Sequence, residues 1–545
     1  SCAMTHSTTA SLLMRAPAKE AWWLLVVLLG ILGSRLLFVE SSPSSWDASS
    51  FYLAATDFNI AADRPHLPGY YLHVELIRFF RVFLQPMAAN VAPSLMWSTL
   101  CGVPLFALVR RRLSLGDALL CVIFLAANPM LWFYGCVSEI YAFDAFFSLS
   151  ILYLALRPRL TPVLFVAMAL GAGVRQSSAV LLMPVVIWCV AGHVRSHALP
   201  YSRLVLSLLL GMISLALWGV PFIAACGGIR GYLELYTTHP PGAVVSAASN
   251  AVSMMQYGVY AFAVSCALLL WQRRADNGSR GDSPVSRPVI LLWVLPALAM
   301  FLFTTYTKGY FLLIVAAPVL AMAHSNSSQP RKTSSLTQHS SSQAQQSLSQ
   351  TGRLFGMGIL AHAAVFLVVP HLMPGLDLVL APKHGVSKWQ KAAQRVTSVF
   401  SMTRSRLLHE RAYMDDTDSL LTRYAATAGG AAASVFVDPA YPLTARALQP
   451  RHPGTELCML YTHATNALLV HHDISQKQEQ GVAARLKHSV ILSTASVCAL
   501  QPMLKVLEQR NGLVLAVVNS DSAYSTSANS TATALATWYA ELFER

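Results

Sequence analysis

The stretch AWWLLVVLLGILGS (21–34), then Arg35, then SSPSSWDASSFYLAATDFNIAADRPHLPGYYL (41–72) decides how this chain is read. The first part is almost pure hydrocarbon. With the apolar residues around Arg35 it approaches the ~20 residues that a bilayer-spanning helix needs. The second part is polar and places Asp47 twelve residues beyond Arg35. A carboxylate, two arginines (Arg35 and Arg64) and a histidine (His66) around one loop point to polar chemistry at a membrane surface.

Composition agrees. The 545 residues are 54% hydrophobic and 12% charged, with mean hydropathy +0.49. Soluble domains carry about 25% charged residues, so much of this chain belongs in lipid. The net charge of +14 is scattered over helix ends and forms no stripe. That is the positive-inside pattern of a polytopic protein, and it argues against nucleic acid as a partner. None of the nine cysteines forms a CxxC or a metal spacing. Cys101, Cys121, Cys189 and Cys266 lie in apolar runs, and only Cys458 and Cys498 share a polar region open to a disulfide. Arg15 and Lys19 precede the first apolar run, and no small-residue cleavage site follows Gly33. The run is therefore expected to stay as a first helix after residues 1–20 on the cytoplasmic side.

Eleven apolar runs of spanning or near-spanning length follow one another: 21–39, 91–109, 116–134, 140–156, 161–174, 178–193, 204–225, 251–271, 288–304, 309–323 and 354–372. The two short runs 161–174 and 178–193 suit a broken or re-entrant pair. Residues 71–85 are amphipathic, with Arg78 and Arg81 among aromatics, and predict a helix in the interface. With a cytoplasmic N-terminus, sixteen basic residues fall inside and six in the outer loops. This predicts an odd number of spans and an outer C-terminal domain. The Ser/Gln-rich stretch 324–353 reads as a disordered inner linker before a last span at 354–372.

Residues 376–545 have ordinary polarity. Strand-like runs at 434–437, 457–461, 467–472, 489–494 and 513–518 alternate with helical stretches. The expectation is an outer α/β accessory domain with a mainly parallel sheet. It has no GxGxxG or P-loop, and the adjacent His471 and His472 would face opposite ways on a strand.

Five places carry candidate chemistry. In the loop spanning 40–90, Asp47 is placed to act as a general base toward an acceptor hydroxyl, with Arg64 and His66 beside it to hold an anion. Asp57, Asp63 and a Pro-Gly turn at 68–69 complete the loop. SEIYAFDAFF (138–147) sets Glu139 and Tyr141 at the start of a helix and Asp144 inside it. A helix N-terminus favours Glu139 on its own, whereas an ionisable residue within a span marks function by default. GAGVRQSS (171–178) puts Arg175 outside, against the positive-inside trend, for phosphate binding or interfacial anchoring. TTYTKGYFLLIVAAP (304–318) carries Lys308 between Tyr306 and Tyr310, to contact a lipid phosphate or to snorkel. His239 sits in a turn of the outer loop 226–250.

Taken together, Arg35 at the end of the first helix, Trp46-Asp47, the His66-Leu67-Pro68-Gly69 turn, Ser138-Glu139-x-Tyr141-Ala142 and Lys308-Gly309-Tyr310 resemble the GT-C superfamily of polytopic glycosyltransferases. The likeness is to protein O-mannosyltransferase-like and related lipid-linked sugar transferases, and it covers roughly residues 20–325. It implies a multi-pass α-helical membrane protein with its catalytic domain at 21–323. Asp47 would be the catalytic base. Arg35, Arg64, His66, Glu139, Tyr141, Arg175, Lys308 and Tyr310 would bind substrate, with no metal. Ala48 stands where many members have a second acid, and Leu67 replaces a proline. The implied reaction is an inverting transfer from a polyprenyl- or dolichyl-phosphate sugar, with no other cofactor, to a hydroxyl on protein, lipid or glycan at the outer face. Partners are then membrane lipids, the lipid-linked donor and that acceptor. A bacterial plasma membrane is favoured over endoplasmic reticulum, because the sole outward sequon, Asn529, lies near the C-terminus. A transporter or lipid flippase, or a scaffold without activity, are the alternatives. The first would need repeated halves and midplane charge, and neither is visible.

Overall fold

The computed structural model describes residues 18–238 except 41, 42, 44 and 63, then 247–275, 285–303, 307–325 and 340–367. In the C-terminal segment it describes a helix at 415–423, residues 448 and 452, and seven strands between 434 and 518. Helix α1 (Ala18–Leu36) leads into the short α2 (Trp46–Ala54) and α3 (Tyr71–Arg81). Then come α4 (Pro86–Leu100), α5 (Gly102–Val109), α6 (Leu115–Ala126), α7 (Pro129–Cys136), α8 (Ala142–Ala155), α9 (Thr161–Val174), α10 (Gln176–Arg195) and α11 (Tyr201–Ala225). The remaining helices are α12 (Gly228–Thr238), α13 (Ala247–Ala275), α14 (Arg287–Phe303), α15 (Thr307–Ile314), α16 (Ala317–Ser325) and α17 (Ser340–Leu367).

Among the described residues three stretches are long and apolar enough to cross a membrane: Pro86–Val109, Gln176–Arg195 and Tyr201–Ala225. Two bent pairs, Leu115–Ala126 with Pro129–Cys136 and Ala142–Ala155 with Pro158–Val174, bring the number to five. Shorter apolar helices lie at 257–272, 287–300, 309–323 and 352–367. These stretches overlap the apolar runs of the sequence from 91–109 onward, and the ends of the runs 288–304 and 354–372 lie outside the described residues. The expected break between 161–174 and 178–193 falls at Arg175, which is extended between α9 and α10, and a second break lies one helix earlier. The pair bent by 115° is α8–α9, broken at Pro158, whereas α10 is a long helix in its own right. Proline has no N–H and clashes with the preceding turn, which ends a helix.

Among the described residues most helices pack around one large apolar core, with a smaller cluster of Ile60, Trp218 and Phe222 beside it. Phe124, Leu131, Phe147, Trp293, Phe311 and Phe355 are buried in the large core. The outer surface is also apolar. On α11, Leu206, Leu209, Met212, Ile213, Leu217 and Val220 are exposed, and only 22% of its apolar window is buried. Burying one such side chain is worth about 1.5–3 kcal/mol. A row of them left bare fits lipid and not water.

Two differences concern the later segments. Helix α17 begins at Ser340, so part of the Ser/Gln-rich stretch expected to be disordered extends the apolar helix that follows it. Ala, Gln and Leu are good helix formers. The C-terminal strands, β1 (Ser434–Val437), β2 (Glu456–Thr462), β3 (Leu468–His472), β4 (Gln476–Gln478), β5 (Val490–Thr494), β6 (Leu504–Arg510) and β7 (Leu513–Val518), form one sheet in the order β4-β3-β2-β1-β5-β7-β6. Its central strand β1 pairs in parallel with β2 and β5, while the other four pairings are antiparallel. The sheet is mixed, against the expectation of a mainly parallel one. Only two residues, Asn511-Gly512, separate β6 from β7. Asn-Gly favours a two-residue hairpin, and a parallel crossover needs a dozen residues or more. The stretches between strands where helices were expected lie outside the described residues apart from 448 and 452, and the helix at 415–423 precedes β1.

Candidate active site

Asp47 lies in the first turn of α2. Ser45 caps that helix, its hydroxyl accepting from the Ala48 N–H at 3.0 Å. Asn90 of α4 donates to the Ala48 carbonyl at 3.0 Å. The far end of α2 is fixed from α3. Arg78 donates to the Ala54 and Ala55 carbonyls, both at 3.2 Å, and Arg81 donates to the Tyr52 carbonyl at 2.6 Å. Cations at a helix C-terminus satisfy its last carbonyls and its dipole. The two arginines of the expected interfacial helix therefore lock the helix that carries Asp47. Beyond them Phe79, Val82, Phe83 and Leu84 are exposed. Also on α3, His73 is buried against the Phe51 ring, 4.6 Å between centroids, and burial pushes its pKa down to about 3. It is a neutral core residue.

The loop after α2 folds back on Asp47. Asn59 and Arg64 exchange backbone hydrogen bonds, and Arg64 also donates to the Asp57 carboxylate at 2.9 Å. The turn that follows carries His66, whose Nε2 lies 3.7 Å from Asp47 Oδ1. Gln176 and Tyr232 both donate to the Pro68 carbonyl at 3.4 Å. Gly69 has φ +110°, and a Cβ there would run into the Phe222 ring and Ile60. Gly69→Ala is therefore expected to displace His66 as well as to cost about 1–3 kcal/mol of backbone strain. The check is a lower melting temperature in detergent together with lower activity.

From the other side Tyr141 donates to Asp47 Oδ2 at 3.0 Å. Tyr141 sits in the turn between α7 and α8, because the helix starts at Ala142 and not at Glu139 as expected. Glu139 is buried in the same turn, and its carbonyl accepts from the Ser94 hydroxyl at 2.6 Å. Asp47, Glu139, Arg175 and Tyr70 all lie within electrostatic reach of Tyr141. Sequence reasoning missed Glu40. Its carboxylate accepts from both the N–H and the hydroxyl of Ser138, at 2.6 and 3.0 Å, and so fixes this turn. A buried acid directly after the first apolar helix was the available signal.

Asp144 and Arg175 form a buried ion pair, and the Ser178 hydroxyl donates to the other oxygen of Asp144. The guanidinium also lies 5.0 Å from the Tyr141 ring centroid and 5.6 Å from that of Tyr310. Gly309 makes this closure possible, since a Cβ there would overlap Arg175 and Asp144.

The structure thus joins Asp47, His66, Glu139, Tyr141, Arg175 and Tyr310. Two expected binders are engaged elsewhere. Arg35 is buried and donates to the Ile31 and Ala126 carbonyls, at 3.3 and 3.0 Å, and Arg64 holds Asp57. Lys308 stands on α15, but its side chain, like Asp63 and His239, lies outside the described residues. Among the described residues no group of three His, Cys, Asp or Glu side chains is placed to hold a metal ion. The Asp47 and His66 side chains are 17% and 18% exposed, against 1% for Asp144. Of these carboxylates, Asp47 is the one open to a substrate.

No family model matches the chain, and no curated protein matches it by sequence. Among solved structures, the crystal structure of ArnT from Cupriavidus metallidurans bound to undecaprenyl phosphate is similar with TM-score 0.56 at 13% identity. The match covers 93% of this chain and 99% of that one. The apo state of the same protein gives TM-score 0.55 at 13% identity, covering 92% and 98%. At that identity the likeness is one of fold.

Proposed function

We propose that this chain is a GT-C-like membrane glycosyltransferase that moves a sugar from a polyprenyl-phosphate donor to an acceptor hydroxyl at the outer face. The observation that carries this reading is the Asp47 carboxylate: partly exposed, oriented by Tyr141 and 3.7 Å from His66, in the first turn of a helix held at both ends. The undecaprenyl phosphate bound to ArnT supports the class of donor.

In this mechanism Asp47 takes the proton of the acceptor hydroxyl as that oxygen attacks the anomeric carbon. The new C–O bond forms on the face opposite the phosphate. The old C–O bond breaks, its electron pair leaves with the lipid phosphate, and the anomeric configuration inverts. Lipid phosphate is already a good leaving group, so a nearby cation suffices to stabilise it. Lys308 is the candidate cation, and His66 is a candidate hydrogen-bond donor to the same phosphate. His66 Nδ1 has no hydrogen-bond partner among the described residues. The residues present do not distinguish mannose from other sugars.

The test is release of label from a panel of radiolabelled polyprenyl-phosphate sugars in reconstituted vesicles with candidate acceptors. Label leaving one donor names the substrate and the reaction class. Intact donor across the panel, with label crossing the bilayer instead, would make this a transporter or flippase.

A further inference from the structure

We propose that Asp144 and Arg175 are positioning residues that act on the reaction through Tyr141; this rests on Asp47 being the base. A continuous set of contacts leads from one to the other. Ser178 and Arg175 each donate to one oxygen of Asp144. The Arg175 guanidinium lies against the rings of Tyr141 and Tyr310. Tyr141 then donates to Asp47 at 3.0 Å.

The alternative role for Arg175, direct contact with the lipid phosphate, fits the geometry less well. Arg175 is 4% exposed, its charge is matched by Asp144, and Gly309 closes over the pair with no room for a Cβ. What the guanidinium does offer is a fixed cation beside the Tyr141 ring. A cation on a ring face is attracted to it by its quadrupole. That attraction fixes the ring plane, and it draws electron density from the phenol, which makes the hydroxyl a stronger donor. Hydrogen bonds weaken steeply off axis, so a ring free to tilt would leave Asp47 unaligned. Asp144 and Ser178 in turn hold the guanidinium. Three elements, α8, α10 and α15, meet at this point to place one phenol.

The experiment is a double-mutant cycle on transfer by the full-length protein in vesicles, after wild-type transfer and its loss in Asp47→Asn have been shown. Tyr141→Phe is expected to lower kcat about tenfold, the loss of one hydrogen bond to a charged group, with donor KM within about twofold. Asp144→Asn is expected to act alike. The double variant should be no slower than Tyr141→Phe alone, because residues acting through one another are not additive. Ser178→Ala, which loosens Asp144 and keeps the ion pair, supplies the same cycle should Asp144→Asn fail to fold. Losses that multiply would overturn the proposal, as would a raised donor KM at unchanged kcat in Arg175→Lys, the mark of a phosphate ligand. Absent transfer by the wild type would remove the underlying reading, and the proposal with it.

Discussion

Asp47→Asn is expected to lower sugar transfer by about 10²- to 10⁴-fold, the range that a positioned general base supplies. The substitution is nearly isosteric, and Tyr141 can still donate to the amide oxygen. Ser45, Asn90, Arg78 and Arg81 hold α2 at both ends without using the carboxylate. The helix therefore stays in place, and the loss is one of chemistry. Asp47→Glu should also fall well below wild type. Its extra methylene pushes the carboxylate past Tyr141, and α2 is tied too tightly to retreat. Initial rates in vesicles, with melting temperature in detergent as the control for folding, give the answer. Unchanged rates in Asp47→Asn would take Asp47 out of the reaction.

Arg175→Ala has the largest expected effect on stability. It leaves Asp144 buried with its cation gone, and breaking a buried pair on one side costs about 3–5 kcal/mol. Ser178 can satisfy only one of the two carboxylate oxygens. Arg175→Ala combined with Asp144→Ala should recover much of the loss, because no uncompensated charge remains. Thermal unfolding of the two variants in the same detergent separates these cases. Equal melting temperatures for the single and double variants would mean that the cost lies in lost packing of the arginine stem and not in the stranded charge.

Much of the site was legible because its chemistry is local in sequence. Asp47 and the His66 turn lie within one loop, and Tyr141 stands in a recognisable Ser-Glu-x-Tyr. The partnership of Asp144 with Arg175 was less visible. In the sequence both are isolated charges in apolar surroundings, with nothing local to link them. Opposite charges in such places tend to seek one another, and that rule would have paired them across 31 residues. Arg78 and Arg81 misled in another way. Their spacing marks an amphipathic helix but does not reveal that they cap a neighbour. In the C-terminal segment the places of five strands followed from β-branched, apolar runs. Their directions did not, because periodicity carries no information about which way a strand runs. That information sat in connection lengths, such as the two residues between β6 and β7.

The anchoring of α2 by α3 has a consequence for where the protein can work. Phe79, Val82, Phe83 and Leu84 are exposed apolar side chains suited to a bilayer surface, and Arg78 and Arg81 beside them hold the Asp47 helix. On the function proposed above, the height of Asp47 above the hydrocarbon is a fixed dimension of the protein, while the phosphate of the lipid-linked donor rides with the headgroups. Tilt and snorkelling absorb a mismatch in thickness only at a cost that grows with each ångström. The same sequence would then select among membranes by thickness as well as by lipid chemistry, its reach acting as a ruler laid against the bilayer.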